Sequence, residues 1–188
     1  MPSAEPKKWR HDIEWTRDRL ASEKLLSVSV VGTIQDGWSI QDLARDYAQC
    51  AKWAVESGAD AVEMNFSCPN VSTCDGQLYQ QSQDARVVAQ AVKQAANDVP
   101  VVAKCGHMTN REQAVLLLNS IGEYVDGLAM TNSVAAFVES DGALLFDGQR
   151  RGICGAATFD ASIAQTRVFA ELIQERGQTI SIIGVGGA

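Results

Sequence analysis

Cys68 stands between two asparagines, Asn65 and Asn70, in the stretch AVEMNFSCPN (61–70). A free thiol has an unperturbed pKa of about 8.5, close enough to neutrality for acid–base or nucleophilic work. Asparagine amides donate and accept at once, so the pair suits a heterocycle whose edge alternates carbonyl and N–H. The same residues also fit a buried structural cysteine beside two turn-forming asparagines. Further polar groups recur along the chain: Lys104 in PVVAKC, Thr131–Ser133 in AMTNS, and Gly184–Gly187 in IIGVGGA. Each lies where an apolar run ends.

Those runs alternate with helical patterns. LLSVSVV (25–31), DAVEMNF (60–66), PVVAKC (100–105), VDGLAMT (125–131) and ISIIGV (180–185) read as strands. Helical spacing predicts helices over 39–58, 82–98, 109–122 and 160–177, the second opened by a Ser/Asp cap. A further helix leads the chain at 5–22, with Pro6 in its first turn. Alternating β and α elements with nearly continuous apolar strands imply a parallel sheet covered by helices. An open doubly wound sheet concentrates function at one switch point, usually with a Gly-rich turn after the first strand. VVGTIQDG (30–37) has the wrong spacing for that turn. Polar residues after several successive strands match instead the rim of a β/α barrel. A full barrel has eight strands and about 250 residues; the sequence offers five, and reads as a piece of one.

Alternation along 60–66 puts Val62 and Met64 on the helix side and Glu63 and Asn65 on the inner side, so Asn65 faces the barrel mouth. The same logic turns Lys104 inward with Val102 and Cys105 outward. The connection 135–152 carries turn signals at SDG and DGQ, which predict a small hairpin over the mouth.

Composition narrows the function classes. The chain has 188 residues, 46% hydrophobic, with a net charge of -7 and a pI near 4.8. An acidic chain without a basic stripe is not expected to bind nucleic acid. No apolar run approaches the roughly 20 residues of a membrane span, and the polar amino terminus lacks the apolar core of a secretory signal. Cys50, Cys68, Cys74, Cys105 and Cys154 form no C-x-x-C pair, and there are only two histidines, His11 and His107. No metal site is expected, and the cysteines are expected to stay reduced in a cytoplasm.

GADAVEMNFSCPN closely resembles the signature of the FMN-dependent dihydroorotate dehydrogenases of the soluble, cysteine-based class, and of the related dihydropyrimidine dehydrogenase flavin domain. PVVAK, VDGLAMTNS, RGICGAA and SIIGVGG match four further blocks in the same order, so the resemblance spans Met1 to Ala188 as one FMN-binding barrel domain. It implies that Cys68 takes a proton from C5 of a dihydropyrimidine while the C6 hydride passes to flavin N5. It implies that Asn65, Asn70, Asn132 and Ser133 hold the pyrimidine. Asn65 and Thr131 would also contact FMN, with Lys104 at the flavin's pyrimidine end and Gly152, Gly186 and Gly187 along its phosphate and ribityl chain. A fixed cation there would stabilise reduced flavin, and glycine lets backbone N–H groups approach a phosphate. On residue type alone, a helix cap or turn is the alternative reading of TNS.

The resemblance lacks the family's first two strands, with a flavin-contacting lysine and a substrate-contacting asparagine, and the last strand with its phosphate loop. GICGAATFDASIA also lacks the Lys-Pro pair usual after this glycine motif. Asn70 follows the dihydroorotate pattern, whereas AMTNS resembles the enzymes that reduce uracil and thymine. The expected activity is therefore interconversion of a dihydropyrimidine and a pyrimidine, dihydroorotate to orotate first and uracil or thymine reduction second, with an inactive barrel piece as the alternative. The resemblance further implies a homo-oligomer when intact, and leaves room for a redox partner subunit.

Overall fold

The computed structural model describes residues 5–67, 77–108 and 110–185. Five strands form one parallel sheet: β1 (Ser27–Val30), β2 (Ala61–Asn65), β3 (Val101–Lys104), β4 (Gly127–Met130) and, last in the chain, β9 (Ser181–Gly184). Their spatial order is β1-β2-β3-β4-β9. The order never reverses, so the sheet has no topological switch point, and it is a segment of a β/α barrel rather than a doubly wound sheet.

Among the described residues five α-helices accompany the strands: α1 (Pro6–Arg19), α2 (Ile40–Glu56), α3 (Ser82–Ala96), α4 (Arg111–Ile121) and α5 (Phe159–Glu175). The sequence explains several of their ends. Ser39 and Asp42 form a reciprocal capping box on α2, the Asp42 N–H donating to Ser39 Oγ at 3.3 Å and the Ser39 N–H to Asp42 Oδ2 at 2.8 Å. Asn110 caps α4, its Oδ1 accepting the Gln113 N–H at 2.8 Å. The Ser/Asp cap expected on α3 does not form: Gln81 holds the cap position without a side-chain bond, and Asp84 lies in the first turn, where its charge complements the helix dipole.

The core lies on one face of the sheet. Val62 and Met64 of β2, Ala103 of β3 and Leu128 of β4 are buried in one cluster with Leu43, Tyr47 and Ala51 of α2, Val88 of α3, Leu117 of α4 and Phe169 of α5. Val102 and Ala129 are also buried but stand outside that cluster, on the opposite face. One face covered by helices and one turned inward is the layering of a barrel wall. Strand bounds are shorter than the apolar runs because ladder pairing ends first: Leu25 is 83% exposed beside the outer strand β1, although its run reads as strand.

Between β4 and α5 the chain makes two antiparallel pairs. β5 (Val134–Ala136) pairs with β8 (Arg151–Ile153), and β6 (Glu139–Ser140) with β7 (Ala143–Leu144). Asp141 and Gly142 connect β6 to β7 with φ of 52° and 77°, so both central residues are left-handed, as a two-residue hairpin turn requires. The SDG signal thus marks a hairpin turn. DGQ instead closes a 3-10 turn, Phe146–Gly148, that returns the chain to β8.

Candidate active site

Strand register sorts the inward residues into rows. One row runs Ser29, Glu63, Val102, Gly127, Ser181, and the next toward the carboxyl ends runs Asn65, Lys104, Ala129, Ile183. Residues paired in a parallel ladder share a face, so Asn65 and Lys104 are side by side at the mouth, with small Ala129 beyond them. Ile183 in the same row is 46% exposed, since β9 forms one outer edge of the sheet. Cys105, the next residue after Lys104, points the other way into the helix layer and is buried.

The strand ends are fixed from behind. Tyr47 of α2 is fully buried and its hydroxyl donates to the Asn65 carbonyl at 3.0 Å, while its ring meets Phe66 edge-on at 6.2 Å. The Phe66 N–H donates to the Lys104 carbonyl at 3.1 Å, and the Asn132 N–H to the Cys105 carbonyl at 3.2 Å. Loops that leave β2, β3 and β4 are thereby stitched together beyond the ladder.

Side chains continue the stitching. Ser67, 4% exposed, donates from Oγ to Asn65 Oδ1 at 2.9 Å, and its N–H reaches the same oxygen at 3.3 Å. Asn132 Nδ2 donates to Ser67 Oγ, and Asn132 Oδ1 accepts the Ser133 N–H at 2.9 Å. Three of the expected substrate-side residues, Asn65, Asn132 and Ser133, are therefore in one place, joined by a serine that the sequence reading passed over. Its signal was present: an asparagine whose side chain bonds the backbone two residues on is an Asx turn. Gly152 of β8 joins this group, for a Cβ there would lie 2.8 Å from Ser133 Oγ. Cys68, Asn70, Gly186 and Gly187 lie outside the described residues.

The side chains present fit the flavin that the resemblance implies. Thr131, 2% exposed, has a buried Oγ1 without a hydrogen-bond partner among the described residues. Such a group costs about 1–3 kcal/mol unless a ligand satisfies it. Lys104 is half-buried at the mouth and has no anionic or hydrogen-bonding partner among the described residues, which leaves its ammonium available to a ligand. An unpaired cation and an orphan hydroxyl on adjacent strand ends suit a polar heterocycle that becomes more negative on reduction. In the intact protein Thr131→Val should therefore raise the melting temperature of the flavin-free form and weaken FMN binding, a pair of opposite changes readable by thermal melts with and without FMN. A polar group serving the fold alone would give a lower melting temperature in both.

The other thiols are set apart by burial. Desolvation, reinforced by the Glu63 carboxylate, pushes the Cys105 thiol up to about 12, and desolvation pushes Cys50 up to about 11. Both stay protonated near neutrality, whereas Cys154 is exposed. Alkylation of the native protein should label Cys154 and spare Cys50 and Cys105, as peptide mass spectrometry would show. Among the described residues no His, Cys, Asp and Glu gather in threes as a metal site would need, and no helix is long and apolar enough to cross a membrane.

A barrel wall with amides, a hydroxyl and a cation collected at the carboxyl ends of its strands defines a β/α-barrel enzyme-like domain. The dihydroorotate dehydrogenase family model matches residues 10–188, and the chain belongs to that family. It is similar to a dihydroorotate dehydrogenase of Dictyostelium discoideum, with 27% identity over 195 residues that cover all of this chain and 52% of the relative. The chain thus spans about half the length of the curated relative it matches.

Proposed function

We propose that the intact protein is an FMN-dependent oxidoreductase of the cysteine-based class that converts dihydroorotate to orotate. The observation that carries this reading is the joining of Asn65, Asn132 and Ser133 beside an unpartnered Lys104 at one barrel mouth. FMN, when bound, supplies the two-electron acceptor. Asn65 and Asn132 bind and orient the ring, since buried polar ring atoms left without partners would cost a few kcal/mol. Lys104, with Thr131, Gly152, Gly186 and Gly187, holds the cofactor, and its charge favours the reduced form. Cys68, three residues beyond Asn65, takes the proton from C5, and Asn70 hydrogen-bonds the ring. Asn70 in place of histidine favours dihydroorotate over uracil or thymine. A cytoplasmic location and a homo-oligomer, with or without a redox partner subunit, belong to the same reading.

Anaerobic addition of dihydroorotate, and in a parallel cuvette dihydrouracil, to the flavin-loaded protein tests the substrate. Rapid bleaching by dihydroorotate alone is the expected result; bleaching by dihydrouracil alone would transfer the protein to the catabolic reaction. Lys104→Ala should lower the flavin midpoint potential by about 30 mV or more, equivalent to about 1.4 kcal/mol for a two-electron couple. A potential unchanged in that variant would return Lys104 to a solvated role.

A further inference from the structure

We propose that Ser67 fixes the amide orientation of Asn65 and Asn132, so that the pocket presents N–H donors and selects a ring edge carrying carbonyl oxygens. The inference rests on the pyrimidine site proposed above and adds to it the residue that sets its polarity. An asparagine amide can turn over and exchange its donor for its acceptor, and only its partners decide which end faces a ligand. Ser67 decides for both.

Its hydroxyl has one proton, and that proton goes to Asn65 Oδ1 at 2.9 Å. The Ser67 N–H adds a second donor to the same oxygen at 3.3 Å. Both lone pairs of Asn65 Oδ1 are then engaged, and the residue has only its Nδ2 hydrogens left to offer, which meet no acceptor among the described residues. The lone pair of Ser67 Oγ accepts Asn132 Nδ2, which turns the Asn132 amide so that its Oδ1 meets the Ser133 N–H at 2.9 Å. Flipping either amide would set donor against donor or acceptor against acceptor at the buried Ser67, a cost of about 1–3 kcal/mol. The relay is directional because a backbone N–H, which cannot reverse, terminates each end. Ser67 is a positioning residue: it touches the asparagines, and they touch the ring.

The consequence concerns selectivity. A pocket of oriented donors favours carbonyl oxygen over an amino group at the same ring position, and discrimination of this kind is strong because the wrong analogue leaves buried groups unpaired. Ser67→Ala removes the hydroxyl that couples the two amides and leaves each held by one backbone N–H alone; Ser67→Thr keeps the hydroxyl. The test uses the intact flavin-loaded protein and measures binding of orotate and of its 4-amino analogue through the perturbation of the flavin spectrum. For Ser67→Ala, orotate affinity should fall about tenfold (about 1.4 kcal/mol), the analogue should bind as well as or better than before, and FMN content should be unchanged. Ser67→Thr should restore the wild-type preference. A Ser67→Ala protein that retains that preference, or that loses both ligands in equal measure, would overturn the role of Ser67 while leaving the pyrimidine site intact. A wild-type protein that binds FMN but neither pyrimidine would overturn the site reading and the relay together.

Discussion

Replacing Cys68 by alanine is expected to lower turnover about 10²–10⁴-fold, the usual worth of general acid–base catalysis, while FMN remains bound. The expectation follows from where β2 ends. Tyr47 and Phe66 hold the end of that strand, and Ser67 ties its loop to Asn132 across the mouth. Cys68 is the next residue, and Asn65, three positions earlier, is the residue proposed to orient the ring. Cys50 and Cys105 cannot stand in, because burial holds both protonated. Cys68→Ser should keep part of the activity with its optimum at higher pH, since a hydroxyl is a weaker acid and gives up its proton only there. Steady-state kinetics over a pH series would separate these outcomes. Turnover of Cys68→Ala within a few fold of wild type would remove the residue from the mechanism.

The 188 residues expressed alone are expected to lack a cooperative melt and to self-associate. β1 and β9 form the two outer edges of the sheet, and the exposed Leu25 and Ile183 lie at those edges. Unpaired strand edges template further pairing and aggregation. The inward face makes matters worse: Ser29, Glu63 and Ser181 occupy one row, polar groups that a closed barrel would pack and pair within its layers. Light scattering and a thermal melt of the isolated chain provide the measurement. A monomer with a sharp transition would mean that the open sheet is sealed by contacts that the strand order does not reveal.

Much of this architecture was legible from residue pattern. The alternation in AVEMN correctly sent Val62 and Met64 to the helices and Glu63 and Asn65 inward, because a two-residue period leaves no other choice once one face is apolar. Cys105 was placed outward by the same rule. What escaped was whatever depends on partners distant in sequence. Ser67 gained its meaning from Asn132, 65 residues away, and Gly152 from Ser133 through the β5–β8 pairing. The cap of α3 was misread because a serine and an aspartate at a helix start are compatible with both the cap and the first turn, and only the backbone angles of Gln81 decide. Lys104 was legible as an inward residue but not as an unpartnered one, because its ladder neighbours in the same row are Asn65 and Ala129, neither of them an anion, and that register is set only by the sheet.

The central claim is that this barrel mouth oxidises a dihydropyrimidine with FMN. It is tested most directly by following the visible flavin absorbance of the intact, FMN-loaded protein during anaerobic titration with dihydroorotate. The account predicts stoichiometric bleaching in the wild type, and in Cys68→Ala a bleaching rate slower by about 10²–10⁴-fold. Protein that carries FMN yet stays fully oxidised with excess dihydroorotate and dihydrouracil would contradict it.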